Sequence, residues 1–244
     1  MTQRYYSEDP IQASRVTLAG SEAHHLLHVM RREEGQRVVL FDGSGRDFIA
    51  RIAARSRSTV ELEILSSQPI DRELPCQLTL GIALPKGDRQ RWLVEKATEL
   101  GVSQIVPLCT DRSVAQPTPS ALRRLERTVI ETSKQCGRSR LLEIAPPRQW
   151  PEFVAAADRC ARRLIAHPTA VPCDGSSPEL KLPPPGEQVV LAVGPEGGFS
   201  DDEFQAATAA GWETASLGAR TLRTETAALA LIAAVTLTGS ATGD

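Results

Sequence analysis

No apolar run in this sequence approaches the roughly 18 residues that a membrane-crossing helix requires, so a helical membrane span is excluded. No charge predominates either: 28 Lys+Arg stand against 30 Asp+Glu, a net charge of −2. Bulk electrostatics therefore does not advertise a nucleic-acid partner, and any such contact must come from local clustering. Aromatic residues make up 4% of the chain, too few for a broad platform of stacked bases. The five cysteines, Cys76, Cys109, Cys136, Cys160 and Cys173, are widely spaced and form no C-x-x-C pair. That argues against structural zinc and points to reduced, mostly buried thiols in a cytoplasmic protein. Its start, MTQRYYSEDP, has no apolar signal core, which agrees with that location. Of the four histidines, His24 and His28 are spaced i, i+4, but no carboxylate is placed to complete a site, so no metal is expected.

What is present is 244 residues with 41% hydrophobic content, ample for a real core. The texture changes across SSQPIDRELP, a Pro-containing linker that divides the chain into residues 1–72 and 73–244. Before the linker, SRVTL, QRVVLF, RDFIARIA and STVELEIL read as short strands and EAHHLLHVMR as one helix, together a small β-barrel. After it, strands (QLTLGIAL, SQIVPLC, RRLIAHP, EQVVLAV, ETASLG) alternate with helices (DRQRWLVEKATELG, a long one from Thr118, WPEFVAAAD, SDDEFQAATAAG, TETAALALIAAVTLT). VPCDGSSPELKLPPPGE reads as a loop. Such alternation predicts an α/β domain with a mostly parallel sheet. The last helix is apolar nearly all round, so it is either buried in its own domain or meets another subunit.

Two strand-to-helix loops carry the chemistry. VGPEGGFSDDE, residues 193–203, leaves a buried strand through Gly194, Gly197 and Gly198, holds Glu196 between them, and enters a helix capped by Ser200 with Glu203. SLGARTLRTETA, residues 216–227, repeats the placement with Gly218, the cations Arg220 and Arg223, and the possible caps Thr221 and Thr224. Ligands of parallel sheets sit beyond the carboxyl ends of strands, so two such loops can form one pocket. Neither loop is G-x-x-x-x-G-K-[ST] or G-x-G-x-x-G, which counts against phosphate cradling and the usual dinucleotide fold.

These two loops resemble those of the SPOUT methyltransferases, and most closely those of the RsmE family, which methylates uracil N3 in small-subunit ribosomal RNA. EAHHLLHVMR, LPKGDRQRWLVEKATELGV, PLCTDRSV and ETSKQCGRSR agree with that family, so the resemblance covers nearly the whole chain. It implies an N-terminal PUA-like β-barrel, a C-terminal trefoil-knotted SPOUT methyltransferase domain with a parallel sheet, S-adenosylmethionine as cofactor, a homodimer, and 16S rRNA within the 30S subunit as partner. The implied cofactor-binding residues are Ile165, His167, Gly194, Pro195, Glu196, Gly197, Ser216, Leu217, Gly218, Leu222 and Arg223. His167 has the alternative of an ordinary loop histidine. Uracil N3 must lose its proton to attack, so a cation (Arg223 or Arg220) and a proton acceptor (Glu225 or Glu196) are required. Glu225 has the alternative of a first-turn carboxylate favoured by the helix dipole. RNA-phosphate candidates are Arg31, Arg32, Lys86, Arg112, Arg220, and a stripe of the long helix formed by Arg124, Arg127 and Arg138, in which Glu131 is a possible partner of Arg127. Another SPOUT specificity, or a non-catalytic RNA-binding factor, are the competing readings.

Overall fold

The computed structural model describes residues 3–114, 117–157, 162–168 and 184–237. Its Cα packing separates two units: Met1–Glu73 with Ile130–Leu141, and Leu74–Val129 with Leu142–Asp244.

In the first unit, β1 (Arg4–Tyr6), β2 (Arg15–Leu18), β3 (Arg37–Phe41), β4 (Arg46–Arg55) and β5 (Val60–Pro69) form one sheet in the order β1-β3-β4-β5-β2. The β1–β3 pairing is parallel and the others are antiparallel. The ladder's two end strands, β1 and β2, are short, with three and four residues. All five strands nevertheless share one core, with Tyr5, Leu18, Leu40, Ile52 and Leu62 buried around Leu26. The segment expected as a single helix begins as α1 (Gly20–His24) and widens into a π-helical turn at His25–Val29, where Met30 N–H donates to His25 O at 2.9 Å. Arg31 follows at φ 48°, the left-handed region that non-glycine residues seldom adopt.

The long helix α3 (Pro119–Cys136) carries the chain from the second unit into the first. Ser139 Oγ donates to Asp47 Oδ1 at 2.6 Å, and Arg4 Nη2 donates to both Asp47 Oδ1 and Ser139 Oγ, at 2.7 and 2.8 Å. Arg138 is not on an exposed stripe: it is 3% exposed, and its Nε donates to Glu73 Oε1 at 3.1 Å. The helix ends at Cys136 and the chain turns at Gly137 (φ 85°), so helical spacing cannot be extrapolated to residue 138. Glu131 pairs with Lys134 at 3.1 Å, not with Arg127, and Lys134 also reaches Glu22 at 2.8 Å. Arg124 and Arg127 are exposed.

The second unit is built on β6 (Gln77–Ile82), β7 (Gln104–Cys109), β8 (Glu143–Ile144), β9 (Arg148–Gln149), β10 (Arg162–Ala166), β11 (Gln188–Val193) and β12 (Glu213–Ala215). The order is β12-β10-β11-β6-β7-β8, with β9 also on β7, and every pairing is parallel. Helices α2 (Asp88–Glu99), α4 (Trp150–Ala156), α5 (Asp201–Ala209) and α6 (Thr224–Leu237) connect or follow the strands. Strand β11 is central, and its Val189 to Val193 are all buried, as an apolar run covered on both faces requires. Four aromatic rings cluster in its core: Trp150 lies 4.4 Å from Phe199, 5.9 Å from Trp212 and 6.2 Å from Phe153, ring centre to ring centre. Cys76 and Cys109 are buried thiols and Cys136 is half-buried, whereas Cys160, Cys173 and most of the Pro-rich loop lie outside the described residues. No described helix is long and apolar enough to cross a membrane.

Candidate functional site

Strands β12, β10 and β11 are neighbours in the sheet, so the loops leaving their carboxyl ends meet. Between them is a cavity of about 200 Å³. Its wall comprises Ala166, His167 and Pro168 at the end of β10, residues 193–199 at the end of β11, and Ala215, Leu217, Gly218, Arg220, Thr221 and Leu222 at the end of β12, with Thr224 and Ala227 from α6.

The loop after β11 is held by long-range bonds. Ser200 Oγ accepts from Glu203 N–H (3.3 Å) while Glu203 Oε2 accepts from Ser200 N–H (2.8 Å), the two halves of a capping box on α5. Ser200 Oγ also donates to Asp111 Oδ2 at 2.8 Å, and Glu203 Oε1 accepts from Asp111 N–H at 2.9 Å. Arg112 Nη1 donates to Gly197 O at 2.8 Å and Phe199 O at 3.3 Å. Ser200→Ala therefore removes a cap and a bond to Asp111. It should cost about 1–2 kcal/mol, read as a lowered urea midpoint with an unchanged m-value. Phe199, packed on Trp150, pins the far side of the loop. A Cβ on Gly194 would lie 3.1 Å from both Phe199 Cδ2 and Phe199 N, so glycine is what allows the loop to fold so closely on itself. Gly218 has φ 93°, a conformation glycine adopts freely.

Of the residues expected here, His167, Gly194, Pro195, Glu196, Gly197, Leu217, Gly218 and Leu222 are on the wall. Ile165 is not: strand alternation turns its side chain into the core with Trp150 and Ala192, and its neighbour Ala166 takes the wall. Ser216, Arg223 and Glu225 are also absent from the wall, and Arg223 is exposed. Arg220, considered for RNA phosphate, lines the cavity. Arg112, considered for the same role, has its guanidinium bonded to backbone carbonyls of the loop.

Sequence reasoning missed Pro168, Phe199, Ala227 and Arg89. Arg89 stands in the first turn of α2, with Nη2 3.4 Å from Glu196 Oε1 and Nη1 3.6 Å from Glu225 Oε2. Its one sequence signal was its place in KGDRQRW. Glu225 is 5% exposed, and its Oε2 makes no hydrogen bond. This carboxylate sits in the first turn of α6 beside a cation, behind the wall rather than in it. Thr224, considered as a cap, lines the cavity with a buried Oγ1 that has no hydrogen-bond partner. His167 stacks on Phe204 at 4.1 Å, and burial lowers its pKa against the opposing field of Asp201. The cavity thus combines an apolar slot, free backbone groups, one unfilled hydroxyl, one cation and one carboxylate.

Known proteins resemble this chain in sequence and in fold. A family described as an RNA methyltransferase domain matches residues 72–236, and one described as an RNA methyltransferase PUA domain matches residues 18–65. A protein from Legionella pneumophila, solved with bound S-adenosylmethionine, is 32% identical with a TM-score of 0.87, covering 98% of this chain and 98% of its own. A ribosomal RNA small subunit methyltransferase E from Neisseria gonorrhoeae, also solved with S-adenosylmethionine, is 31% identical with a TM-score of 0.86 and the same coverage of 98% of each chain. The enzyme of that name from Synechocystis is 34% identical over 232 residues, 93% of this chain and 74% of the relative. With both domains matched and likeness running the length of the fold, the chain belongs to the RsmE family of RNA methyltransferases.

Proposed function

We propose that this protein transfers a methyl group from S-adenosylmethionine to N3 of a uridine in 16S ribosomal RNA, acting in the cytoplasm on the 30S particle. The observation that carries the reading is the single cavity shared by the loops after β10, β11 and β12, in a fold whose relatives hold that cofactor. The cavity fits the cofactor. Leu217 and Leu222 offer an apolar slot for adenine beside the free backbone of Gly218, and Gly194, Pro195 and Gly197 suit the ribose or the amino-acid part. The unfilled hydroxyl of Thr224 supplies one more polar contact.

S-adenosylmethionine, when bound, supplies a methyl group already activated by a sulfonium, which leaves alignment and charge control to the protein. Two groups on the wall suit the uracil. Arg220 stabilises the negative charge that spreads onto the uracil oxygens as N3 is deprotonated, and Glu196 accepts the N3 proton. The electron pair left on N3 then forms the new bond to carbon. Arg223 and Glu225, the other candidates for these roles, stand off the wall.

Exposed Arg31, Lys86, Arg124 and Arg127, with half-buried Arg32, are the proposed phosphate contacts. Two further features belong to the reading. The return of β12 past β11 to the far side of β10 supports the trefoil knot. A homodimer is supported by the half-buried Leu229, Ala230 and Ala233 of α6 and by the exposed Trp92 of α2, a helix that packs on α6.

Methylation of 30S particles and of naked 16S RNA, followed by mass spectrometry of nucleosides, tests the function. The expected result is 3-methyluridine from the particles. A 2′-O-methyl product would move the chain to another SPOUT specificity. No product, with no calorimetric binding of S-adenosylmethionine, would leave a non-catalytic RNA-binding factor.

A further inference from the structure

Among the described contacts, Arg89 reaches both the loop after β11 and the first turn of α6, the helix that follows the loop after β12. Its Nη2 reaches Glu196 in the loop after β11, and its Nη1 reaches Glu225, one residue beyond the wall residue Thr224 in the segment after β12. It belongs to neither loop, since it projects from the first turn of α2. A guanidinium is suited to this place, because its two terminal nitrogens diverge and can each serve a different carboxylate.

The two arms differ in character. Glu196 is 44% exposed and Arg89 is 38% exposed, so solvent screens that arm, and by itself it is weak. The side chain of Glu225 is 7% exposed, and its Oε2 makes no hydrogen bond, which leaves Arg89 as the cation placed to balance it. Without Arg89, a buried carboxylate loses its counter-charge. Glu196 and Glu225 would then repel across the gap that the guanidinium now fills, and each carboxylate is attached to a different wall of the cavity. Nothing else bonds the tip of the loop after β11 to the start of α6 among the described contacts.

We infer that Arg89 is a positioning residue that joins the two cofactor loops at the spacing in which they bind S-adenosylmethionine. The inference rests on the reading of the cavity as that cofactor's site. Arg89 acts on cofactor binding and leaves the methyl-transfer step itself to the wall residues, because solvent screens the field it places on Glu196.

The test uses the full-length protein and three variants, Arg89→Ala, Arg89→Lys and the double variant Arg89→Ala with Glu196→Gln. Calorimetric titration with S-adenosylmethionine is read beside single-turnover methylation at saturating cofactor and thermal melting. Arg89→Ala should weaken cofactor binding about tenfold and raise the KM for cofactor in parallel, with the saturated rate within about threefold of the parent. Arg89→Lys should recover no more than part of the affinity, because a single ammonium keeps the charge but cannot serve both carboxylates. The double variant should bind no more weakly than Arg89→Ala, since the link is already broken. The inference is overturned if Arg89→Ala binds the cofactor as the parent does, if its loss falls on the saturated rate instead, or if Arg89→Lys binds as tightly as the parent. A parent protein that binds no S-adenosylmethionine overturns the cofactor reading itself, an outcome distinct from all three.

Discussion

Gly194→Val should bind S-adenosylmethionine at least about 100-fold more weakly than the parent, a loss of about 2.7 kcal/mol, while keeping its circular dichroism spectrum. A Cβ at Gly194 would stand 3.1 Å from Phe199 N and 3.2 Å from Gly198 C, and backbone atoms cannot step aside as a flexible side chain can. Phe199 cannot retreat cheaply either, because its ring is packed 4.4 Å from the fully buried Trp150. The loop must therefore open, and the backbone groups of residues 194–197 leave the cavity. Gly197 provides the contrast. A Cβ there would meet only the side chain of Arg112, at 3.4 Å, so Gly197→Ala should lose much less affinity. Isothermal titration of both variants decides the matter; equal losses would mean that ligand contact, and not the tight fold of the loop, explains the glycines.

Arg220→Ala should slow single-turnover methylation by about 100-fold at saturating cofactor, the usual cost of deleting one group that stabilises developing negative charge. Both arginines are exposed, but Arg220 lines the cavity whereas Arg223 stands off the wall. Arg223→Ala should accordingly lose no more than about threefold, because a charge off the cavity wall acts on the uracil only across solvent. If Arg223→Ala shows the larger loss, the roles of the two arginines are exchanged. If neither variant slows the saturated rate, charge on the uracil is balanced by some other group.

Much of the local structure was legible. Pro119 opens α3, Ser200 and Glu203 form a reciprocal cap, and the apolar run in EQVVLAV becomes the buried strand β11. Each of these depends on residues within one or two turns of chain, where propensity and spacing operate directly. The errors arose where local periodicity was carried past its range. Arg138 lies past the end of a helix that stops at Cys136, and Ile165 turns into the core within β10 whereas His167 lies beyond the strand's last residue, Ala166, where strand alternation no longer applies. Arg112 and Arg89 were invisible as supports for the site, because their partners lie 85 and 107 residues away in the chain. A charged side chain carries no local mark that distinguishes a brace from a solvated surface group.

By itself, the sequence determined which segments become strands and helices in the α/β half, and where two glycine-bearing turns leave the strands. It also carried the motifs that relate this chain to its family. Only the tertiary structure decided that β12 lies beside β10 and β10 beside β11, and that order brings three separate turns around one cavity. It also selected Arg220 over Arg223 for the wall, and set Arg89 between Glu196 and Glu225. The reason is physical: spacing along a chain governs backbone geometry over a few residues, whereas strand order and shared counter-ions follow from packing between segments that the sequence keeps far apart.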